Sequence, residues 1–131
     1  MSTFKDSLEI GDPSQERFQE LEAWVDTRGS YTLIPGPVLE GLGYSPSFRR
    51  PFRLADGSLV ELDGCRAHLR IGGEVQFSLC IFGEEESEPL LGATALEEFG
   101  LGVDPVNHTL IPVVSNLPSF YPEAHDHNYR G

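Results

Sequence analysis

The sequence predicts an all-β domain of short strands with one or two short helices, and three observations carry that expectation. Apolar and polar residues alternate over short runs, the pattern of half-buried strands. Gly (14) and Pro (10) interrupt those runs with tight corners. Hydrophobic residues at 39% and aromatics at 10% supply a core and exclude wholesale disorder. A chain of 131 residues builds one core, so residues 1–117 are assigned to a single domain and 118–131 to a polar tail with little to bury.

Phe4, Leu8 and Ile10 form a first strand that Gly11-Asp12-Pro13 ends, and Phe18, Leu21, Ala23 and Val25 form a second that runs into Asp26. Tyr31 to Ile34 is a β-branched and apolar third strand, broken by Pro35-Gly36-Pro37. Pro37 is suited to the first residue of a short helix through Leu42, closed by Gly41 or Gly43, with Val38, Leu39 and Leu42 inward. Arg49 to Leu62 reads as a hairpin around Ala55-Asp56-Gly57-Ser58, Asp-Gly being the preferred centre of a primed turn with positive φ at both positions.

A second hairpin turns at Gly72-Gly73. A two-residue loop there would set Ile71 opposite Glu74 and Cys65 opposite Cys80, with apolar residues of the two strands on different faces. A three-residue loop, Gly72 to Glu74, sets Ile71 opposite Val75, Leu69 opposite Phe77 and Ala67 opposite Leu79 on one apolar face, and is the expected register. It places Cys65 and Cys80 on opposite faces, so two free thiols are expected. Glu84 to Glu88 reads as a solvated acidic loop, and Leu90-Leu91-Gly92 as a short strand. Thr94-Ala95-Leu96-Glu97 has the spacing of a capping box at a helix start, closed by Phe99-Gly100. Val103 and Leu110 to Val114 supply the last strands.

Charge narrows the function. Lys plus Arg is 9 against Asp plus Glu at 21, a net charge of −12, and Lys5 is the single lysine. A surface of that sign repels phosphate, which argues against nucleic acid and anionic membrane as partners. Met1 to Gly11 has no apolar run of the kind a signal peptide needs, so the cytoplasm is the expected compartment.

The informative segment is Trp24-Val25-Asp26-Thr27-Arg28-Gly29-Ser30-Tyr31-Thr32-Leu33-Ile34-Pro35. A carboxylate at the end of an apolar strand is costly unless hydrogen bonds or work at a site offset it. Taken alone, Asp26 reads first as the cap of a turn. A second segment, Leu90-Leu91-Gly92 with the helix that follows it, changes the reading. Together with Val25-Asp26-Thr27 and Thr32-Leu33-Ile34-Pro35, it resembles the retropepsin-like aspartic proteases of the single-domain bacterial type, in order and spacing, over about Phe18 to Val114. Leu101-Gly102-Val103-Asp104-Pro105-Val106-Asn107 resembles the closing segment of those bacterial members.

The resemblance implies a small closed β-barrel that works as a homodimer and cleaves a peptide or protein substrate without cofactor or metal. Asp26 would be catalytic, one from each subunit. Thr27 would support the pair across the interface, and Gly29 and Ser30 would lie along the substrate backbone. The Asp56-Gly57 hairpin corresponds in position to the flap over the groove, although as a sequence it is also an ordinary hairpin. One departure stands out: Arg28 occupies the place of the family glycine after Asp-Thr, with the distance to Thr32 preserved. A side chain there crowds the carboxylates. A guanidinium could also keep Asp26 ionised, an ion pair at 4 Å being worth about 4 kcal/mol at an effective dielectric near 20. A pair without a proton has no general acid, which leaves an impaired peptide-binding or dimerisation module as the alternative unless Arg28 points away.

The remaining candidates are weaker. His125-Asp126-His127 lies in the tail, and His68 and His108 read as strand-surface residues. Motifs for serine or zinc hydrolysis and for phosphate binding do not occur in the sequence.

Overall fold

The computed structural model describes residues 3–119, so His125-Asp126-His127 and most of the tail lie outside the described residues. Nine strands and two short helices follow one another among these residues: β1 (Phe4–Gly11), β2 (Phe18–Val25), β3 (Thr32–Pro35), α1 (Gly36–Leu42), β4 (Phe48–Arg53), β5 (Leu59–Ile71), β6 (Glu74–Gly83), β7 (Leu90–Leu91), α2 (Ala93–Glu98), β8 (Leu101–Asp104) and β9 (Thr109–Pro112). No helix among them is long and apolar enough to cross a membrane.

Seven strands share one sheet in the order β1-β2-β7-β3-β6-β5-β4, and a further β1–β5 pairing closes the first six into a barrel while β4 extends from β5. The closure sets Ile10 opposite Leu69, both fully buried. Leu8, Ile34, Leu39 and Leu91 join them in the interior. Burying each such side chain stabilises the fold by roughly 1.5–3 kcal/mol. Pro37 stands in the first turn of α1, which ends on Gly43 at φ 106, a left-handed geometry that a glycine adopts without strain. β8 and β9 form a separate two-stranded sheet.

Four local expectations are corrected. The two predicted hairpins share a single 13-residue strand, β5, which pairs with β4 over its first half and with β6 over its second. The first turn is not a primed one. The Gly57 N–H donates to the Leu54 carbonyl and only Gly57 has positive φ, at 87°, so the turn is a type I turn followed by a left-handed glycine. Asp56 accepts instead from the Ser58 N–H and hydroxyl, at 2.9 and 2.6 Å.

The second hairpin takes the register that was not expected. Gly72 and Gly73, at φ 59° and 88°, make a two-residue turn that pairs Ile71 with Glu74 and Cys65 with Cys80. Small residues explain it: Ser78 and Cys80 are the fully buried β6 side chains facing Ala67 and Cys65, while Phe77 is 50% exposed and lies against the His68 ring. Both cysteines are free and buried, although they face each other across the ladder. Finally, Thr94 is not a helix cap, because α2 begins at Ala93 with Gly92 as its cap and no side-chain cap bond.

Asp12, read in the sequence only as part of the corner that ends the first strand, and Tyr44 both hold loops around the barrel. The Asp12 carboxylate, 8% exposed, accepts from the Glu16 and Arg17 N–H groups at 2.8 and 3.1 Å and from the Ser14 hydroxyl at 3.2 Å. The buried Tyr44 hydroxyl donates to the Gly11 carbonyl and accepts from the His68 N–H. Glu88, in the acidic loop, accepts from the Trp24 indole N–H and pairs with Lys5 at 3.7 Å.

Candidate active site

Asp26 is the first residue beyond β2. Val25 is paired in parallel with Leu91, and the Asp26 N–H extends that pairing by donating to the Leu91 carbonyl at 3.1 Å. The loop that follows is strapped to the start of α2. The Gly29 and Ser30 carbonyls accept from the Ala93 and Thr94 N–H groups at 2.8 and 3.0 Å. These bonds satisfy donors that the first turn of a helix otherwise leaves unpaired, so α2 needs no side-chain cap. The fully buried Thr32 hydroxyl accepts from the Gly92 N–H at 3.2 Å. The two segments that carried the sequence reading, around Asp26-Thr27 and around Leu90-Leu91-Gly92, therefore form one hydrogen-bonded unit.

Arg28 turns onto Asp26. Its Nε donates to Oδ1 at 3.0 Å and its Nη2 to Oδ2 at 3.3 Å, a two-pronged grip on the carboxylate, while its backbone N–H donates to Oδ1 at 2.9 Å. The Asp26 side chain is 18% exposed and that of Arg28 69%. The Arg28 guanidinium bonds hold the Asp26 carboxyl below its usual range, with partial burial opposing them, and the same bonds raise Arg28. Thr27 is exposed, and its hydroxyl has no hydrogen-bond partner among the described residues.

Beside this loop lies a groove of about 490 Å³. Arg28, Gly29 and Ser30 border it on one side, and Leu33, Ile81 and Leu90 form an apolar wall. The β4–β5 hairpin reaches it through Phe52, Arg53 and Leu54, but Asp56 and Gly57 at the tip do not line it. Two contacts tie hairpin to loop: Tyr31 and Phe52 pack edge to face at 5.8 Å, and Arg50 Nη1 donates to the Tyr31 hydroxyl at 3.2 Å. Sequence reasoning missed Tyr31, Phe52 and Arg53 as groove residues. The Phe48, Phe52 alternation along β4 was the available signal. His68 lies on the strand surface, whereas His108 sits in the turn before β9, at φ 55, with its ring stacked on Phe4 at 5.7 Å.

Neither family models nor curated protein sequences match the chain. Among solved structures it is similar to the protease of simian foamy virus (mac), determined in solution, with a TM-score of 0.53 and 16% identity over 73% of this chain and 94% of that one. The fold is retropepsin-like. The Asp26 loop, Leu90 and the β4–β5 hairpin meet at the groove, and the Arg28 side-chain bonds hold the Asp26 carboxyl below its usual range.

Proposed function

We propose that the protein is an aspartic endopeptidase that acts as a homodimer, with Asp26 of each subunit forming the catalytic pair. The supporting observation is that Asp26 opens a loop, strapped to α2, whose Arg28, Gly29 and Ser30 border an apolar groove that the β4–β5 hairpin also lines. In such a pair two carboxylates about 3 Å apart share one proton. The ionised one activates water, the protonated one polarises the scissile carbonyl, and the apparent pKa values belong to the pair. Thr27 keeps a free hydroxyl for the partner subunit, Gly29 and Ser30 run beside the substrate backbone, and the Asp56-Gly57 hairpin serves as flap.

Arg28 shapes this chemistry. While its guanidinium grips Asp26 the carboxylate stays ionised, so the singly protonated pair is populated only at lower pH than an ungripped pair would allow. Cleavage therefore favours acid conditions, and Arg28→Gly moves the optimum upward. Incubating the purified protein with a peptide library from acidic to neutral pH, with Asp26→Asn alongside, tests the assignment. Cleavage that survives Asp26→Asn overturns it.

The same grip favours a second reading, a peptide-binding module of this fold without turnover. Under it the parent is inactive at every pH and Arg28→Gly creates activity that the parent lacks.

A further inference from the structure

Arg130 lies outside the described residues, and five of the eight other cationic side chains are paired with carboxylates: Lys5, Arg17, Arg28, Arg49 and Arg70. Arg50, Arg53 and Arg66 have no carboxylate partner among the described residues. Arg50 is satisfied in other ways, lying over the Phe48 ring and donating to Tyr31. Arg66 donates to the Phe77 carbonyl at 3.4 Å, away from the groove. Arg53 differs from both. It lines the groove, it is exposed, and its single hydrogen bond among the described residues runs from Nη1 to the Gly57 carbonyl at 3.2 Å, which leaves most of the guanidinium donors without an acceptor among those residues.

Its surroundings define what it can bind. Among the described residues no Asp or Glu lines the groove, in a chain that carries 21 of them. The wall beside Arg53 is Leu33, Leu54, Ile81 and Leu90, and the second guanidinium at the rim, Arg28, is already occupied by Asp26. A polyanion is repelled by a surface of net charge −12. A single carboxylate on an otherwise apolar segment meets far less of that repulsion, and the planar fork of an arginine matches it in geometry.

We propose that Arg53 is a specificity-determining residue and that the groove selects peptides with an acidic side chain flanked by apolar residues. The inference rests on the groove being the peptide site. Binding rather than cleavage tests it. Two fluorescent apolar peptides, identical except for a central Glu or Gln, are titrated with the protein at neutral pH in the cold, with anisotropy as readout and mass spectrometry to confirm that the peptide stays intact. The Glu peptide binds about fivefold more tightly than the Gln peptide at low salt, and the ratio shrinks as salt is raised. Arg53→Gln brings the ratio to one, and Arg53→Glu brings it below one. Both variants alter an exposed side chain, and circular dichroism confirms that they are folded. Equal binding of the two peptides by the parent, or a Glu preference that survives Arg53→Gln, overturns the inference and leaves the aspartic peptidase reading in place. If neither peptide binds, the groove is not a peptide site and both fail.

Discussion

Replacing Gly92 by Ala tests whether the Asp26 loop depends on the start of α2. A Cβ at this position would stand 2.5 Å from the Tyr31 carbonyl oxygen, 2.6 Å from the Tyr31 carbonyl carbon and 3.0 Å from the Gly29 carbonyl oxygen. Ordinary contacts lie near about 3.5 Å, so the loop has to retreat by about 1 Å. All three atoms are backbone, and no rotamer change relieves the overlap. The Gly92 dihedrals, φ −98 and ψ 177, suit any residue, so the penalty is one of space alone. Overpacking of this kind costs about 1–3 kcal/mol, and the retreat strains the Ala93 to Gly29 and Thr94 to Ser30 hydrogen bonds, each worth about 1 kcal/mol. The expected loss is about 2–4 kcal/mol, read as a lower urea midpoint at unchanged slope. Gly41→Ala is the control: it sits in α1 with nothing within 4 Å of the added methyl, and it should stabilise by about 0.5–1 kcal/mol. A loss below about 0.5 kcal/mol for Gly92→Ala, the range of an indifferent surface change, would refute the strapped loop.

The buried thiols and the acid limb of stability give two further outcomes. Burial pushes the Cys65 thiol up to about 11 and raises Cys80 further, so iodoacetamide at pH 8 should leave both unmodified in the native protein and alkylate both in urea; rapid native labelling would contradict the closed barrel. Asp12 is lowered first by the Arg17 N–H, and Asp104 first by the Asn107 side chain. A folded pKa below the unfolded one adds stability that is full above the unfolded value, near about 3.9, and is lost as pH falls through the folded value. The urea midpoint should therefore hold steady down to about pH 5 and fall below about pH 4, and Asp12→Asn should give a lower midpoint at neutral pH with a shallower acid decline.

The barrel was legible where a residue's size and its face agree. Phe4, Leu8 and Ile10 point inward because every second position of β1 does, and Pro37 and Gly43 bracket α1 because each suits a backbone geometry that other residues resist. The β5–β6 register was misread where size and face part company. Phe77 and Leu79 looked like core residues, but the interior opposite Ala67 and Cys65 accepts Ser78 and Cys80, and the larger side chains lie outside. The Gly72-Gly73 pair was the better guide, since two consecutive left-handed residues specify a two-residue turn and hence the register. The position of Asp26 just past the end of β2 was legible, because the apolar run stops at that carboxylate. The place of Arg53 in the groove was not, because nothing local separates an arginine on a hairpin edge from one in a groove; that distinction arises only when the folded chain brings the end of β4 to the groove lined by Leu33 and Ile81. The direction of Arg28 was open in the sequence for the same kind of reason. Its grip on Asp26 follows from the tight turn that brings its own N–H onto Oδ1, which places the side chain within reach of both carboxylate oxygens.

One Asp26 per chain makes self-association the step on which the proposed catalytic pair depends, and charge predicts how that step responds to salt. Each chain carries −12, so a dimer carries twice that, and the two copies repel at long range. The Debye length falls from about 30 Å at 0.01 M salt to about 8 Å at 0.15 M, which removes most of that repulsion but leaves apolar contact unchanged. Ile111, Val113, Val114 and Leu117 supply exposed apolar surface at the C-terminal end of the described residues. Sedimentation equilibrium at fixed protein concentration should accordingly show the dimer fraction rising across that salt range. A dimer that weakens instead must be held by opposite charges, and the exposed Arg28 is then the side chain to examine, since a guanidinium that leaves its own Asp26 for a carboxylate on the partner would both bind the subunits and release the Asp26 carboxylate. Monomer at every salt concentration removes the second carboxylate and, with it, any mechanism that shares a proton between two.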